Sequence, residues 1–147
     1  MSTSLEVKVE GEDAIARAFE RLASAGDRRR LLDVIGATVE SQTRRRLQDE
    51  KRDPDGKPWK KWTPEFAERR RSSGGILDMR GDLIDSITYD LGGTREVDVG
   101  SNLVYARRHQ VGDKSPGVPE RAFLGLSDAN ASEVDEIVGD FLMEAWT

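Results

Sequence analysis

The chain has 147 residues, 36% of them hydrophobic and 35% charged, with a formal net charge of −5, one histidine and no cysteine. That length fits a single domain, and so polar a composition suits either a large solvated surface or a core completed by a partner. Disulfides and thiolate metal centres are excluded, and with one histidine a zinc site would have to draw its other ligands from carboxylates.

The N-terminal stretch "SLEVKVEG" alternates Leu5, Val7 and Val9 with polar residues, the period of a half-buried strand. This alternation is unlike the clustered apolar core of a signal peptide, and no apolar run approaches the roughly 20 residues that span a bilayer. A soluble protein made in the cytoplasm is expected. The period then changes: Ala14, Ile15, Ala18, Phe19 and Leu22 form one helical face, and Gly26 suits the position just past that helix. A second helix is expected from about Arg28 to Asp49, burying Leu31, Leu32, Ile35, Val39 and Leu47, with Arg44, Arg45 and Arg46 near its C-terminal end.

The segment from about Asp49 to Gly75 has another character. Pro54, Gly56 and Pro58 forbid a continuous helix, and "DPDG" is turn chemistry. A short helix is expected over "TPEFAERRR", with Thr63 as N-cap and Pro64 at the first helical position. From Arg44 to Arg71 eleven Lys and Arg face six Asp and Glu, whereas residues 126–147 hold acids and no Lys or Arg. A basic middle and an acidic tail suit nucleic-acid binding, or a head-to-tail meeting of copies.

"DLIDSI" is expected as a helical turn leading into a strand, "SITYDL", which a Gly-Gly turn joins to a second strand, "EVDVGS". "LVYARRHQVG" reads as a short helix ended by Gly112, followed by a turn-rich stretch in which "RAFLGL" is extended. The last helix is the clearest: Val134, Ile137, Val138, Phe141, Leu142 and Ala145 keep helical spacing, and Ser127 is placed to cap it. Strands and helices do not alternate regularly. The expected fold class is therefore α+β, a small antiparallel sheet with the strand Leu5–Val9 joining the hairpin, long helices packed on one face and a long inserted loop.

Several motifs occur in a fixed order: "DGKPWKKW" (Asp55 to Trp62), an "ILxxxGxLxxSI" segment (Ile76 to Ile87), "VGSNLVYARRHQVG", and "PxRxFLGLS" (Pro119 to Ser127) before the C-terminal helix. In this order they resemble the phage virion morphogenesis, or tail completion, family of Mu-like phages, from about Gln42 to the end of the chain. The pattern departs at Met79 and Arg80, where Thr or a small residue is commoner. The resemblance implies a non-enzymatic structural protein at the head-proximal end of the tail or at the neck, assembling as a ring, with hexameric symmetry. It implies tail tube and neck or connector proteins as partners, DNA passing through the ring without sequence-specific binding, no cofactor and no membrane.

For His109 the catalytic reading lacks a nucleophile and an orienting acid, and no Gly-x-Ser-x-Gly occurs. The residue is read as scaffold, needing only a hydrogen bond beside Tyr105. Contact with a subunit or partner is assigned instead to Trp59 and Trp62, with Lys57, Lys60 and Lys61 interleaved, and to the run Arg69, Arg70 and Arg71. The loop is expected to be mobile in the free subunit and ordered on assembly. Two other readings remain open: a loop anchored on its own domain, and a nucleic-acid-binding module using the Lys/Trp segment.

Overall fold

The computed structural model of the protein describes residues 3–8, 20, 22, 24–69, 74–78, 81–114 and 117–145. The first alternating stretch forms strand β1 (Thr3–Lys8). It pairs antiparallel with β3 (Glu96–Ser101), whose other edge pairs antiparallel with β2 (Thr88–Leu91). The order is β1-β3-β2, so the N-terminal strand does join the hairpin. Leu5, Val99 and Tyr89 share one cross-strand row, and Val97 pairs with Leu91 two residues along, which makes one face apolar. The row between them, Glu6, Asp98 and Asp90, belongs to the opposite, polar face.

Helix α1 (Ala25–Arg45) lies across the apolar face. Ser24 caps it, its Oγ accepting from the Asp27 amide at 3.0 Å. Gly26 therefore sits in the first turn of this helix and not past the end of the preceding one, because the Ser24 cap starts the helix before it. The expected first helix lies outside the described residues except for Glu20 and Leu22. Gly36 marks the tightest contact of α1 with the sheet: a Cβ there would come within 2.5 Å of Tyr89 and 2.9 Å of Val97. Leu31, Leu32, Ile35, Val39 and Leu47 are all buried, as the periodicity requires.

The other side of α1 carries helix α5 (Asp128–Ala145), which buries Val134 and Val138 and packs Phe141 and Leu142 at the margin. The layers are thus sheet, α1 and α5. Ser127 caps α5 in a reciprocal pair: the Asn130 amide donates to Ser127 Oγ at 3.0 Å and the Ser127 amide to Asn130 Oδ1 at 3.1 Å.

Past Arg45 the helix widens into a π-turn (Arg46–Glu50) and stops at Lys51, a non-glycine residue at φ 55°. The Lys51 amide donates to Arg46 O at 2.9 Å, and its ammonium donates to Leu47 O and Ile76 O. After this stop, Arg52 pairs with Pro58 across the expected Asp-Pro-Asp-Gly turn, with Gly56 at φ 91°. Three further helices are short: α2 (Pro64–Arg69), capped by Thr63 as expected, α3 (Asp82–Ser86) and α4 (Ala106–Val111), which ends at Gly112.

Trp59, expected at a subunit or partner contact, lies instead inside the domain. Its ring is 5% exposed and belongs to the domain's own core, and its Nε1–H donates to Ala122 O at 2.8 Å. The loop that carries it is stitched to the domain at Lys51, Trp59 and Lys60, in place of the expected free excursion. Turn residues exclude regular structure but not attachment, and one buried indole is enough to attach the segment. Trp59→Ala should therefore lower the unfolding free energy by about 3–5 kcal/mol, read as an earlier urea midpoint. An unchanged midpoint would place the ring outside the core.

Candidate functional site

Lys60 follows the buried indole directly, so anchoring Trp59 also fixes where the basic residues begin. The Lys60 carbonyl accepts from Arg121 Nε at 2.8 Å, while Lys60 and Lys61 expose their side chains. Trp62 is half-buried against Phe66, with ring centroids 5.6 Å apart and planes tilted by 57°. Arg69, at the end of α2, is exposed, and its Nε donates to Glu65 O at 3.3 Å. These residues form one wall of an open groove of about 1100 Å³.

Helix α4 supplies the opposite wall. Tyr105 and His109 stand one turn apart and meet edge-on, 5.9 Å between centroids at 82°. A turn after the helix, closed by the pair Asp113 and Val118, adds Lys114 to the rim. Leu77, Leu83 and Arg121 line the bottom. Five cations in this lining (Lys60, Lys61, Arg69, Lys114 and Arg121) face two carboxylates, Asp82 and Asp113. Asp113 already pairs with Arg108 at 3.5 Å. The groove is therefore basic at the rim and aromatic within.

His109 is held through its backbone, whose carbonyl accepts from the Arg121 amide at 2.7 Å. Its Nδ1, the atom an orienting carboxylate would hold in a catalytic triad, is buried without a hydrogen-bond partner among the described residues. The scaffold reading for His109 agrees with this, but the side-chain hydrogen bond expected for that role is not made at Nδ1. Burial and, after it, the Arg121 charge hold the imidazole below its usual pKa. Burial likewise lowers the Arg121 guanidinium. Among the described residues, no group of three or more His, Cys, Asp or Glu is placed to hold a metal ion.

The structure thus gathers Lys60, Lys61, Trp62 and Arg69 in one site, leaves Lys57 exposed at the neighbouring turn, and withdraws Trp59 into the core. Arg70 and Arg71 lie outside the described residues. Phe66, Tyr105 and Arg121 were missed as parts of the groove. The four-residue spacing of Tyr105 and His109 was the available signal for one wall. A smaller hollow of about 290 Å³ along the end of α1 and the π-turn, lined by Glu40, Ser41, Arg44, Arg45, Gln48 and Asp49 among others, brings no aromatic group to its surface.

A family model described as the phage virion morphogenesis family matches residues 11–143. Protein G of Escherichia phage Mu, which its name assigns provisionally to capsid assembly, is 32% identical over 149 residues, covering 94% of this chain and 94% of that protein. No solved structure matches the chain significantly.

The half-buried imidazole of His109 gives the fold a pH dependence of defined sign. A folded-state pKa below the unfolded value of 6.5 means that the unfolded chain takes up the proton first. The contribution is intact above that value and is lost as pH falls below it. Between about pH 7.5 and about pH 5.5 the wild-type melting temperature should fall more than that of His109→Gln, which has no proton to bind. Parallel declines in the two proteins would show that the imidazole titrates as in the unfolded chain.

Proposed function

The ordered motifs and the matches over nearly the whole chain agree that it belongs to the phage virion morphogenesis family, and on that premise we propose that it is a non-enzymatic structural protein completing the tail or forming the head–tail junction as a hexameric ring. The observation that carries this reading is the groove, a concave basic and aromatic surface with Phe66 39% and Tyr105 37% exposed, held in place by buried residues behind it. Concave surfaces that combine exposed aromatics with a charged rim are suited to protein contacts. The phage Mu relative is named for capsid assembly, and a protein at the junction would serve both head and tail. Tail tube and neck proteins are its partners on this reading, with DNA passing through the ring.

A second reading has its own support. Lys60, Lys61 and Trp62 share the groove with Phe66, and cations beside stacking rings are what a single strand requires. A nucleic-acid-binding module would retard a DNA fragment with a steep salt dependence, whereas the structural protein would bind it weakly and without sequence preference.

Electron microscopy of particles produced without the protein tests the main reading. Unjoined heads beside tails of abnormal length identify a terminator, and tails of normal length that fail to join identify a connector. Complete, infectious particles would overturn the assignment.

A further inference from the structure

Helix α5 presents two unlike faces. Its inner face, with Val134 and Val138, is seated on α1, so its outer face cannot turn into the groove of the same chain. No lining residue of that groove comes from α5. On the exposed side, residues at helical spacing place Ser132, Gly139 and Met143 in a central stripe. Asp135 flanks the stripe on one edge, with Glu136 and Asp140 on the other, all three exposed. Met143 is 67% exposed, and a Cβ on Gly139 would meet nothing within 4 Å. The stripe is therefore low enough for another surface to approach the helix closely.

The groove has the complementary pattern. Its rim carries Lys60, Lys61 and Arg69, all exposed, and its interior offers the rings of Phe66 and Tyr105. We propose that the groove receives the acidic outer face of α5 from a second copy of this chain. Asp135, Glu136 and Asp140 meet the lysines and Arg69 at the rim, while Met143 reaches the aromatic interior, where a thioether packs well against rings. At 18 residues, α5 is about 27 Å long, enough to cross the site.

Because two different surfaces meet, the contact is heterologous. Repeated with a closing rotation it generates a ring, and without closure it generates a filament. This inference rests on the ring reading above and names the surfaces that build it.

The test uses two variants of the full chain, each altered at exposed positions: Lys60→Glu/Lys61→Glu/Arg69→Glu in the groove, and Asp135→Lys/Glu136→Lys/Asp140→Lys on α5. Sedimentation velocity should show a wild-type oligomer that dissociates as salt is raised, and each variant alone as a monomer with an unchanged circular dichroism spectrum. Mixing the two variants should restore the oligomer, since each groove then meets a helix of opposite charge. Loss of the oligomer with the groove variant but not the α5 variant would overturn the proposal in favour of another occupant. If only the groove variant also lost DNA retardation, that occupant would be nucleic acid. A wild-type protein monomeric at all concentrations, or reversals that leave the oligomer intact, would overturn it too. The role in particle assembly is judged separately, by the particles made without the protein.

Discussion

The structure depends on how one stretch of backbone is satisfied. Residues 121–125 join neither strand nor helix, so their peptide groups need partners from elsewhere. The Arg121 amide finds the His109 carbonyl, and side chains supply the other partners named here. Arg46 donates to Phe123 O at 2.8 Å and Gly125 O at 3.2 Å, and Trp59 donates to Ala122 O. Gln110 gives its amide to Leu124 O and accepts from the Phe123 and Leu124 amides at 3.0 Å each. Arg46 also reaches Asn130 Oδ1 at 2.5 Å, the atom that receives the Ser127 amide in the cap of α5. One guanidinium, 1% exposed, thus ties the π-turn, this segment and the start of the last helix together.

That guanidinium has carbonyl and amide acceptors in place of a contacting carboxylate. Burial lowers its pKa, while Glu50 and Asp53 at longer range oppose the shift. A buried cation is tolerated when hydrogen bonds replace its lost hydration, and three fixed oxygens around the planar fork contribute this. Lysine would place a point charge in the same space and could not reach the acceptors in that geometry. The π-turn aids the arrangement, since the wider turn from Arg46 to Glu50 closes on the Lys51 amide and directs the chain toward the loop.

Much of this was legible in the residues, and what was not has a physical reason. Period 2 in "LEVKV" and period 3.6 along α1 and α5 report which faces are apolar, so the sheet, the hairpin and both long helices follow from the sequence. The Thr63 and Ser127 caps follow from local hydrogen-bond chemistry. Periodicity does not reveal a buried polar residue: Arg46 sits in a run of three arginines that suits a helix C-terminus, and nothing in the spacing sets it or Gln110 apart. Nor does it rank two tryptophans three residues apart. Trp59 is inside, packed in the core with its indole N–H on the Ala122 carbonyl, a fact of tertiary structure that local spacing does not encode.

The same clamp determines the energetics of any contact at the groove. A free segment from residue 51 to 62 would lose about 1–2 kcal/mol of backbone entropy per residue when a partner fixed it, and few interfaces recover such a sum. Here the folded domain already meets that cost: Trp59 is in the core, Lys60 O is bonded to Arg121, and Arg121 is bonded in turn to His109 O. Both walls therefore descend from residues 121–125, the loop through Lys60 and Ala122 and helix α4 through His109 and Gln110. Any partner of the groove would then meet walls that are already ordered. The stability of the domain and the shape of the groove thus share a source. Arg46, bonded to Phe123 O and Gly125 O, reaches the groove through this segment, on which both walls are fastened.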